Sequence, residues 1–120
     1  MFDWKDYLKI ANEFLLASPT SDNAEAYYRC GISRAYYSVY NMSVSLIESK
    51  KLPIIQQNGE GSHQATIRVL GCLNTDASSD LFRLKFLRMN SDYKSYNKIT
   101  EQNLSYSLLL ATSINRQLFQ

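Results

Sequence analysis

The sequence predicts an all-α fold, an up-and-down bundle of four to five helices built as one domain over residues 1–120. Apolar residues recur at helical spacing in the long segments, and no segment alternates with a period of two for long enough to indicate a strand. The two prolines and four glycines fall mostly between these periodic segments. At 45% hydrophobic residues, a chain of this length can bury one core.

The first predicted helix is DWKDYLKIANEFLLA, with Asp3 as its N-terminal cap and Pro19 in SPTSD as its stop. The second begins near Asp22, with Glu25 as the capping-box acid, and runs through ESKK. Its only breaker is Gly31, where another helix can approach closely. Each helix has one apolar face. In the first helix this face comprises Trp4, Tyr7, Leu8, Ala11, Phe14 and Leu15. In the second helix it comprises Tyr28, Ile32, Ala35, Val39, Met42 and Leu46.

Three shorter helices are predicted in the second half of the chain. LPIIQQNGEGS is a loop, after which Ser62 caps the helix HQATIRVLGCL. Gly71 and NTDASS separate this helix from the next one, SDLFRLKFLRMNSDY. After the polar connection KSYNK, Thr100 caps a final helix. The apolar face of that helix comprises Leu104, Leu108, Ala111, Ile114 or Asn115, and Leu118.

Composition and missing motifs exclude several classes of function. A net charge of +2 does not indicate a general electrostatic attraction for nucleic acid, although it leaves a local basic patch open. The single histidine excludes a multi-histidine metal site, and the chain lacks a phosphate-binding loop, a dinucleotide-binding glycine motif and a nucleophile elbow. We therefore expect no metal and no cofactor.

The cysteines and the N-terminus predict a cytoplasmic domain. Cys30 and Cys72 occur without a CxxC motif, which indicates small buried apolar residues in a reducing compartment. The segment MFDWKDYLKI carries acids where a signal peptide has a basic region. No apolar stretch reaches the ~20 residues of a membrane span, so no membrane association is expected.

Two segments carry the candidate binding residues outside the fourth helix. In GISRAYYSVY, Arg34 lies at the edge of the apolar stripe and Tyr37 follows three residues later, with Ser33 beside them. An amphipathic flank, with the arginine stem lying along the apolar surface, is the alternative. His63 follows the cap Ser62, and is either an exposed first-turn residue or a phosphate contact made together with free backbone N–H groups.

The segment LRMNSDY places Arg88 four residues before Asp92 and five before Tyr93. The pair is either a solvated salt bridge or the polar centre of a site. Arginine before aspartate is the less favourable order for an exposed helical pair, which favours the second interpretation. Because both arginines lie at stripe edges, we expect Arg34, Arg88 and Asp92 to form one hydrogen-bonded cluster between the second and fourth helices.

Taken together, SRAYYSVYN and LRMNSDY resemble the HEPN domain family (higher eukaryotes and prokaryotes nucleotide-binding), in particular its minimal bacterial and archaeal members. The resemblance covers nearly the whole chain. It implies an all-α dimer that serves toxin–antitoxin, phage-defence or other nucleic-acid-linked systems. In active members it implies metal-independent RNA cleavage by an arginine followed, after four to six residues, by a histidine.

The chain departs from this motif at the histidine. Arg88 matches the arginine, but Tyr93 occupies the histidine's place. A histidine changes charge near neutral pH, whereas the ordinary pKa of a tyrosine is ~10, so a tyrosine is the poorer general base. The candidate catalytic residues are Arg88, Asp92 and Tyr93, and the candidate nucleotide- or RNA-binding residues are Ser33, Arg34, Tyr37 and His63.

The resemblance leaves three functions open. The first is a homodimer that acts on RNA, in which two copies of Arg88 stabilise a developing phosphorane charge. The second is a non-catalytic nucleotide-binding or regulatory module that partners a nucleotidyltransferase, with Tyr93 or Tyr96 as the acceptor of a nucleotidyl group. The third is a structural dimerisation domain. Against the acceptor role, Tyr93 is expected to point inward as a buried cap bonded to the second helix.

Overall fold

The longest helix is the element on which the other helices pack. The computed structural model describes residues 1–17 and 22–119, and every regular element in these residues is a helix. The helices are α1 (Lys5–Ala17), α2 (Ala24–Ser49), α3 (Ser62–Leu73), α4 (Thr75–Tyr93) and α5 (Glu101–Phe119). The predicted all-α bundle is therefore confirmed.

The contacts between helices give an up-and-down arrangement of α1, α2, α4 and α5. Ser33, early in α2, donates a hydrogen bond to Asp92 at the end of α4. Asp80, early in α4, accepts one from Gln117 near the end of α5. The start of α1 and the last turns of α2 line the same shallow cavity. Because α2 and α5 each pack against both α1 and α4, they separate those two helices, while α3 packs on α4 and α2.

One hydrophobic core joins all five helices. The apolar stripe predicted on α2 faces it, with Ile32, Ala35 and Val39 buried. Its largest fully buried apolar side chains are Ile32, Tyr36, Val39, Ile47, Leu70, Leu81, Leu84, Leu104 and Ile114. Among the described helices, none combines the length and the continuous apolar character that crossing a membrane requires.

Gly31 lies where α2 packs closely against α5. A Cβ atom at this position would lie 2.7 Å from Leu104 Cδ1 on α5. Since Leu104 is fully buried, its side chain has little room to move away. The prediction that this glycine allows another helix to pack closely is confirmed.

Two of the predicted helix caps are confirmed. The Asp3 carboxylate accepts a hydrogen bond of 3.0 Å from the backbone N–H of Lys5. Thr100 and Asn103 form a reciprocal box, in which each side-chain oxygen accepts from the other residue's backbone N–H. The predicted stop at Pro19 lies outside the described residues.

Three other predicted helix starts are wrong, because α4 also begins at Thr75, inside the segment NTDASS that was predicted to separate it from α3. Helix α2 begins at Ala24 rather than at Asp22, and the Glu25 carboxylate binds Arg29 instead of closing a capping box. Helix α3 includes Ser62 as its first residue, so that Gly61 occupies the cap position. All three sequences offer several polar residues in a row, and their side chains alone do not specify which one leaves the helical conformation.

The prediction that the two cysteines are buried is also wrong. Cys30 and Cys72 are both exposed free thiols. Cysteine is often buried because its side chain is small and apolar. In this chain each cysteine falls outside the core-facing stripe of its helix, and position on the helix outweighs residue type.

Candidate functional site

The LRMNSDY segment forms a closed polar cluster at the end of α4. Arg88 Nε donates to Asp92 Oδ2 over 2.8 Å, and Arg88 Nη2 donates to Tyr93 Oη over 2.9 Å. Only 12% of the Arg88 side chain is exposed. The Arg88–Asp92 contact is therefore a sheltered ion pair, not the solvated salt bridge that its spacing alone also allowed.

Helix α2 supplies the second wall of this cluster. Ser33 Oγ donates to Asp92 Oδ2 over 3.3 Å. The Arg88 guanidinium carbon lies 4.9 Å from the centre of the Tyr37 ring and 5.0 Å from the centre of the Tyr93 ring. Ser33 and Tyr37 are four residues apart, so one face of α2 presents both to α4. The structure thus brings together five of the predicted site residues.

The charges in the cluster support one another. Burial acts against the Arg88 charge, but Tyr37, Asp92 and Tyr93 outweigh it and raise the pKa of the guanidinium. Burial also raises the pKa of the Tyr37 phenol, and the nearby Arg88 charge opposes that rise. Arg88 is therefore a permanent cation fixed between an anion and two phenols.

A second layer of the site surrounds His63, in the first turn of α3. His63 Nδ1 lies 2.7 Å from the hydroxyl of Tyr36, which is fully buried. The Tyr40 ring stacks on the imidazole with a centroid separation of 4.2 Å and an interplanar angle of 10°. Burial, together with the charges of Arg88 and Lys85, lowers the pKa of His63. His63 is accordingly a half-buried, neutral imidazole near two cations.

The two layers share tyrosine rings. Tyr36 and Tyr37 lie within 5.8 Å and 4.9 Å of the Arg88 guanidinium carbon. The same two rings lie 5.7 Å and 6.0 Å from the His63 ring centre. The predicted binding residue His63 therefore belongs to the same site as Arg88.

Arg34 does not join the cluster. Its guanidinium lies over the ring of Tyr7 on α1, 4.9 Å from the ring centre. One position after Ser33, it is turned by about 100° around the helix, which directs it to α1 instead of α4. The prediction that Arg34 hydrogen-bonds with Arg88 and Asp92 is wrong.

The two candidate acceptor tyrosines are accessible. Tyr93 is 67% exposed and Tyr96 is 80% exposed. The Tyr93 hydroxyl bonds to Arg88 on its own helix, so the expectation of a buried cap bonded to α2 is wrong. Because Tyr93 is the last residue of α4, its ring can fold back over Arg88 while its outer face stays in solvent.

Arg29 was missed by the sequence reasoning and holds the end of α4 in place. Besides its ion pair with Glu25, its guanidinium donates to backbone carbonyls of the last turn of α4 and of the connection that follows. Those carbonyls belong to Asn90, Ser91, Lys94 and Asn97. The spacing of Glu25 and Arg29 signals the ion pair, but contacts with distant carbonyls leave no pattern in the sequence.

The geometry and chemistry of the site are the basis for a proposed function. No family model, curated protein or solved structure matches the chain. In residues 1–17 and 22–119, no three histidine, cysteine, aspartate or glutamate side chains converge as a metal site would require. The chemistry available is one sheltered arginine, one carboxylate, several phenols and one neutral imidazole.

Proposed function

We propose that this chain is a HEPN-like protein that binds RNA, or a nucleotide, by a phosphate group at Arg88. The observation that carries the proposal is the state of the guanidinium. Asp92 and Tyr93 fix its orientation through two of its five N–H groups, and three N–H groups have no partner among the described residues. An arginine held in this way binds a phosphate with little loss of side-chain freedom.

The charge around Arg88 supports an anionic ligand. Between Phe82 and Lys98 the sequence has five basic residues and one acid, Asp92. The rest of the chain has eight basic residues and ten acids, so the positive charge is concentrated on this segment. Lys85, one turn before Arg88, also acts on His63. A polyanion such as RNA matches this local excess of positive charge.

The proposed protein is a homodimer formed along the outer face of α4. Phe82, Phe86 and Met89 follow one another at helical spacing on that face, and all three are exposed. Phe82 and Phe86 also line a shallow apolar groove with Tyr106 of α5. A second copy seated on this face would cover the apolar patch. Arg88 lies on the same helix, and in the proposed dimer the Arg88 residues of the two copies would face one shared cleft.

In this role the dimer serves a toxin–antitoxin or phage-defence system, as the resemblance implies. Metal-independent cleavage joins the 2′-oxygen of a ribose to the neighbouring phosphorus and breaks the bond from phosphorus to the 5′-oxygen. The two guanidiniums would offset the negative charge of the intermediate phosphorane. The 2′-hydroxyl loses a proton in this step and the 5′-oxygen gains one.

The test is the binding and cleavage of a labelled single-stranded oligoribonucleotide without added metal. We expect Arg88→Ala to weaken binding by about tenfold or more, as for the loss of a charge-assisted contact worth ~1.5–3 kcal/mol. The matched control is Arg116→Ala, which removes an exposed arginine from the last turn of α5. Equal affinity in the two variants, or cleavage that survives Arg88→Ala, would remove Arg88 from the site.

A second candidate function is a non-catalytic module that partners a nucleotidyltransferase. The exposure of the Tyr93 and Tyr96 side chains favours it, because a transferase must reach its acceptor. Intact-mass measurement after co-expression with the neighbouring gene, for the native chain and for Tyr93→Phe and Tyr96→Phe, tests this function. An unmodified mass beside an active transferase excludes it. A stable dimer that binds neither RNA nor nucleotide would instead identify a structural domain.

A further inference from the structure

We infer that His63 serves the Arg88 site as a hydrogen-bond donor through Nε2–H, that the buried phenol of Tyr36 fixes this tautomer, and that His63 therefore does not act as a general base. The inference rests on the proposed function, because it assigns to His63 a contact with the same RNA ligand. It concerns the only histidine in a chain that lacks a histidine after its motif arginine.

The proton of the Tyr36 hydroxyl group determines whether Tyr36 or His63 donates the hydrogen bond between them. Tyr36 is fully buried, and within the described chain its hydroxyl has one hydrogen-bond partner, His63 Nδ1 at 2.7 Å. Burial raises the pKa of this phenol far above its ordinary value, so the hydroxyl keeps its proton. A buried hydroxyl group whose proton makes no hydrogen bond lowers the stability of the fold by about 1–3 kcal/mol. Tyr36 consequently donates and Nδ1 accepts.

The surroundings of the His63 imidazole favour its neutral form. A neutral imidazole carries one proton, so an accepting Nδ1 leaves that proton on Nε2. Protonation of Nδ1 as well would make the ring a cation close to Arg88 and Lys85 of α4. On the α2 side the ring faces only phenols, those of Tyr36, Tyr37 and Tyr40. Among the described residues, the charges that act on the pKa of His63 are those of the two cations, and no carboxylate offsets them.

The direction of the remaining N–H group follows from the hydrogen bond with Tyr36. Nε2 lies on the side of the ring away from Nδ1, and Nδ1 points to the fully buried Tyr36. The ring is half-buried, and no described residue accepts a hydrogen bond from Nε2, so Nε2–H is left to donate to a ligand. Tyr40, stacked at 4.2 Å, fixes the plane of the ring. His63 therefore offers one oriented, uncharged donor in the layer that shares the Tyr36 and Tyr37 rings with Arg88.

A donor of this kind recognises a phosphate oxygen or a carbonyl oxygen of a base. It cannot take the proton of a ribose 2′-hydroxyl, since Nε2 already carries a proton and the lone pair of Nδ1 already accepts the hydrogen bond from Tyr36. Any cleavage at this site must use another proton acceptor. Tyr36, which does not touch the ligand, is a positioning residue.

Nitrogen NMR of the single histidine tests the tautomer without any need for activity. In long-range ¹H–¹⁵N spectra of the native dimer near pH 8, we expect Nε2 to carry the proton and Nδ1 to be unprotonated. In Tyr36→Phe, which keeps the ring and removes the donor, we expect a mixture of tautomers. A proton on Nδ1 in the native protein would overturn the inference.

Addition of a single-stranded oligouridylate tests the contact with the ligand. We expect the Nε2 resonance to shift in the native protein and to stay unchanged in Arg88→Ala. An oligonucleotide that binds at Arg88 but leaves Nε2 unchanged refutes the role of His63 alone. An oligonucleotide that does not bind refutes the proposed function, and the donor role of His63 with it.

Two substitutions separate donation from proton transfer. His63→Phe keeps the stack on Tyr40 but removes the donor, and we expect binding to weaken by about 3- to 10-fold, the effect of one neutral hydrogen bond. His63→Gln restores an N–H donor, and we expect binding within about threefold of the native value. If the protein cleaves RNA, His63→Gln should keep that activity. A loss of about 10²- to 10⁴-fold would identify a general base and contradict the inference.

Discussion

At the scale of single residues, shelter from solvent decides what a charge pair contributes. Asp92 and Arg88 have the same spacing on a helix as many surface salt bridges, yet the arginine is almost entirely covered. A charge removed from water depends on its counter-charge, because the lost hydration must be replaced. Asp92 is thus expected to hold Arg88 in the fold as well as in the site.

We predict that Asp92→Asn lowers the free energy of unfolding by about 1–3 kcal/mol, because Arg88 then keeps its burial but loses its anion. Urea denaturation followed by circular dichroism measures the change. The control is Asp6→Asn, whose partner Lys9 is exposed and whose loss should change the stability by less than about 1 kcal/mol. Equal effects of the two substitutions would mean that Arg88 is as well solvated as Lys9.

His63 makes the stability depend on pH below neutrality. Its pKa in the folded protein is lower than the ordinary value of 6.5, so the unfolded chain binds a proton in a range where the folded chain does not. The contribution of His63 to the free energy of unfolding is then fully present above about pH 6.5. It decreases as the pH falls from there toward the pKa of His63 in the folded protein. Glu25 and Glu60, whose pKa values are also lowered, add to the loss only at more acidic pH.

We predict that the urea midpoint of the native protein falls between pH 7 and pH 5.5, and that His63→Phe removes most of this decrease. The chain has no other histidine, so the comparison isolates one group. Denaturation curves at both pH values, for both proteins, provide the measurement. A native midpoint that stays level over this range would show that His63 titrates alike in the folded and unfolded states.

At the scale of the helices, the end of α4 is held from outside the helix. The last backbone carbonyls of a helix have no partner within it. Here Arg29 of α2 binds carbonyls at Asn90 and Ser91 and continues to Lys94 and Asn97 in the connection. This contact fixes the turn that carries the Asp92 and Tyr93 side chains toward Arg88.

We predict that Arg29→Met, which keeps most of the apolar stem, destabilises the fold by about 2–4 kcal/mol, because several carbonyls lose a charged donor at once. Hydrogen exchange should become faster in residues 90–97 than in the rest of α4. Arg83→Met is the control, since Arg83 is more exposed and its one ion-pair partner among the described residues is Asp80. Uniformly faster exchange throughout the chain would argue against a local role for Arg29.

The sequence predicted the helices better than it predicted the site. Periodic apolar residues and the Thr100 box specify α5, because both depend on neighbours along the chain. Arg88, Asp92 and Tyr93 were also found by their spacing within one helix. The Tyr36–His63 bond and the Arg29 contacts join residues 27 or more positions apart, and no local pattern records them. Arg34 was misassigned because an error of one helical position turns a side chain toward a different neighbour.

At the scale of the whole molecule, one helix serves two purposes. The inner edge of α4 carries Arg88 and faces α2, while its outer face carries Phe82 and Phe86 without any cover from the described chain. A patch of exposed aromatic side chains this close to a polar site is typical of an interaction surface.

We predict that Phe82→Glu with Phe86→Glu converts the proposed dimer to a monomer that keeps its helical circular dichroism spectrum. The reason is that two charges would have to be buried in the interface. Light scattering coupled to size-exclusion chromatography measures the mass. Leu16→Glu, at a more exposed apolar position on α1, should leave the mass unchanged. A native protein that is monomeric at micromolar concentration would contradict the proposed dimer itself.

The junction between α3 and α4 sets the distance between the two layers of the site. Only Asn74 separates the helices, and its side chain caps Ala77 at the start of α4. His63 lies eleven residues before Asn74, which is ~16 Å along a helix at 1.5 Å per residue. A tilt of only about 5° at Asn74 would therefore displace the imidazole by roughly 1.4 Å, about half the length of a hydrogen bond. The separation between His63 and Arg88 therefore depends on the angle between α3 and α4, which the Asn74 cap and the hydrogen bond from Ser78 to the Ile67 carbonyl both hold.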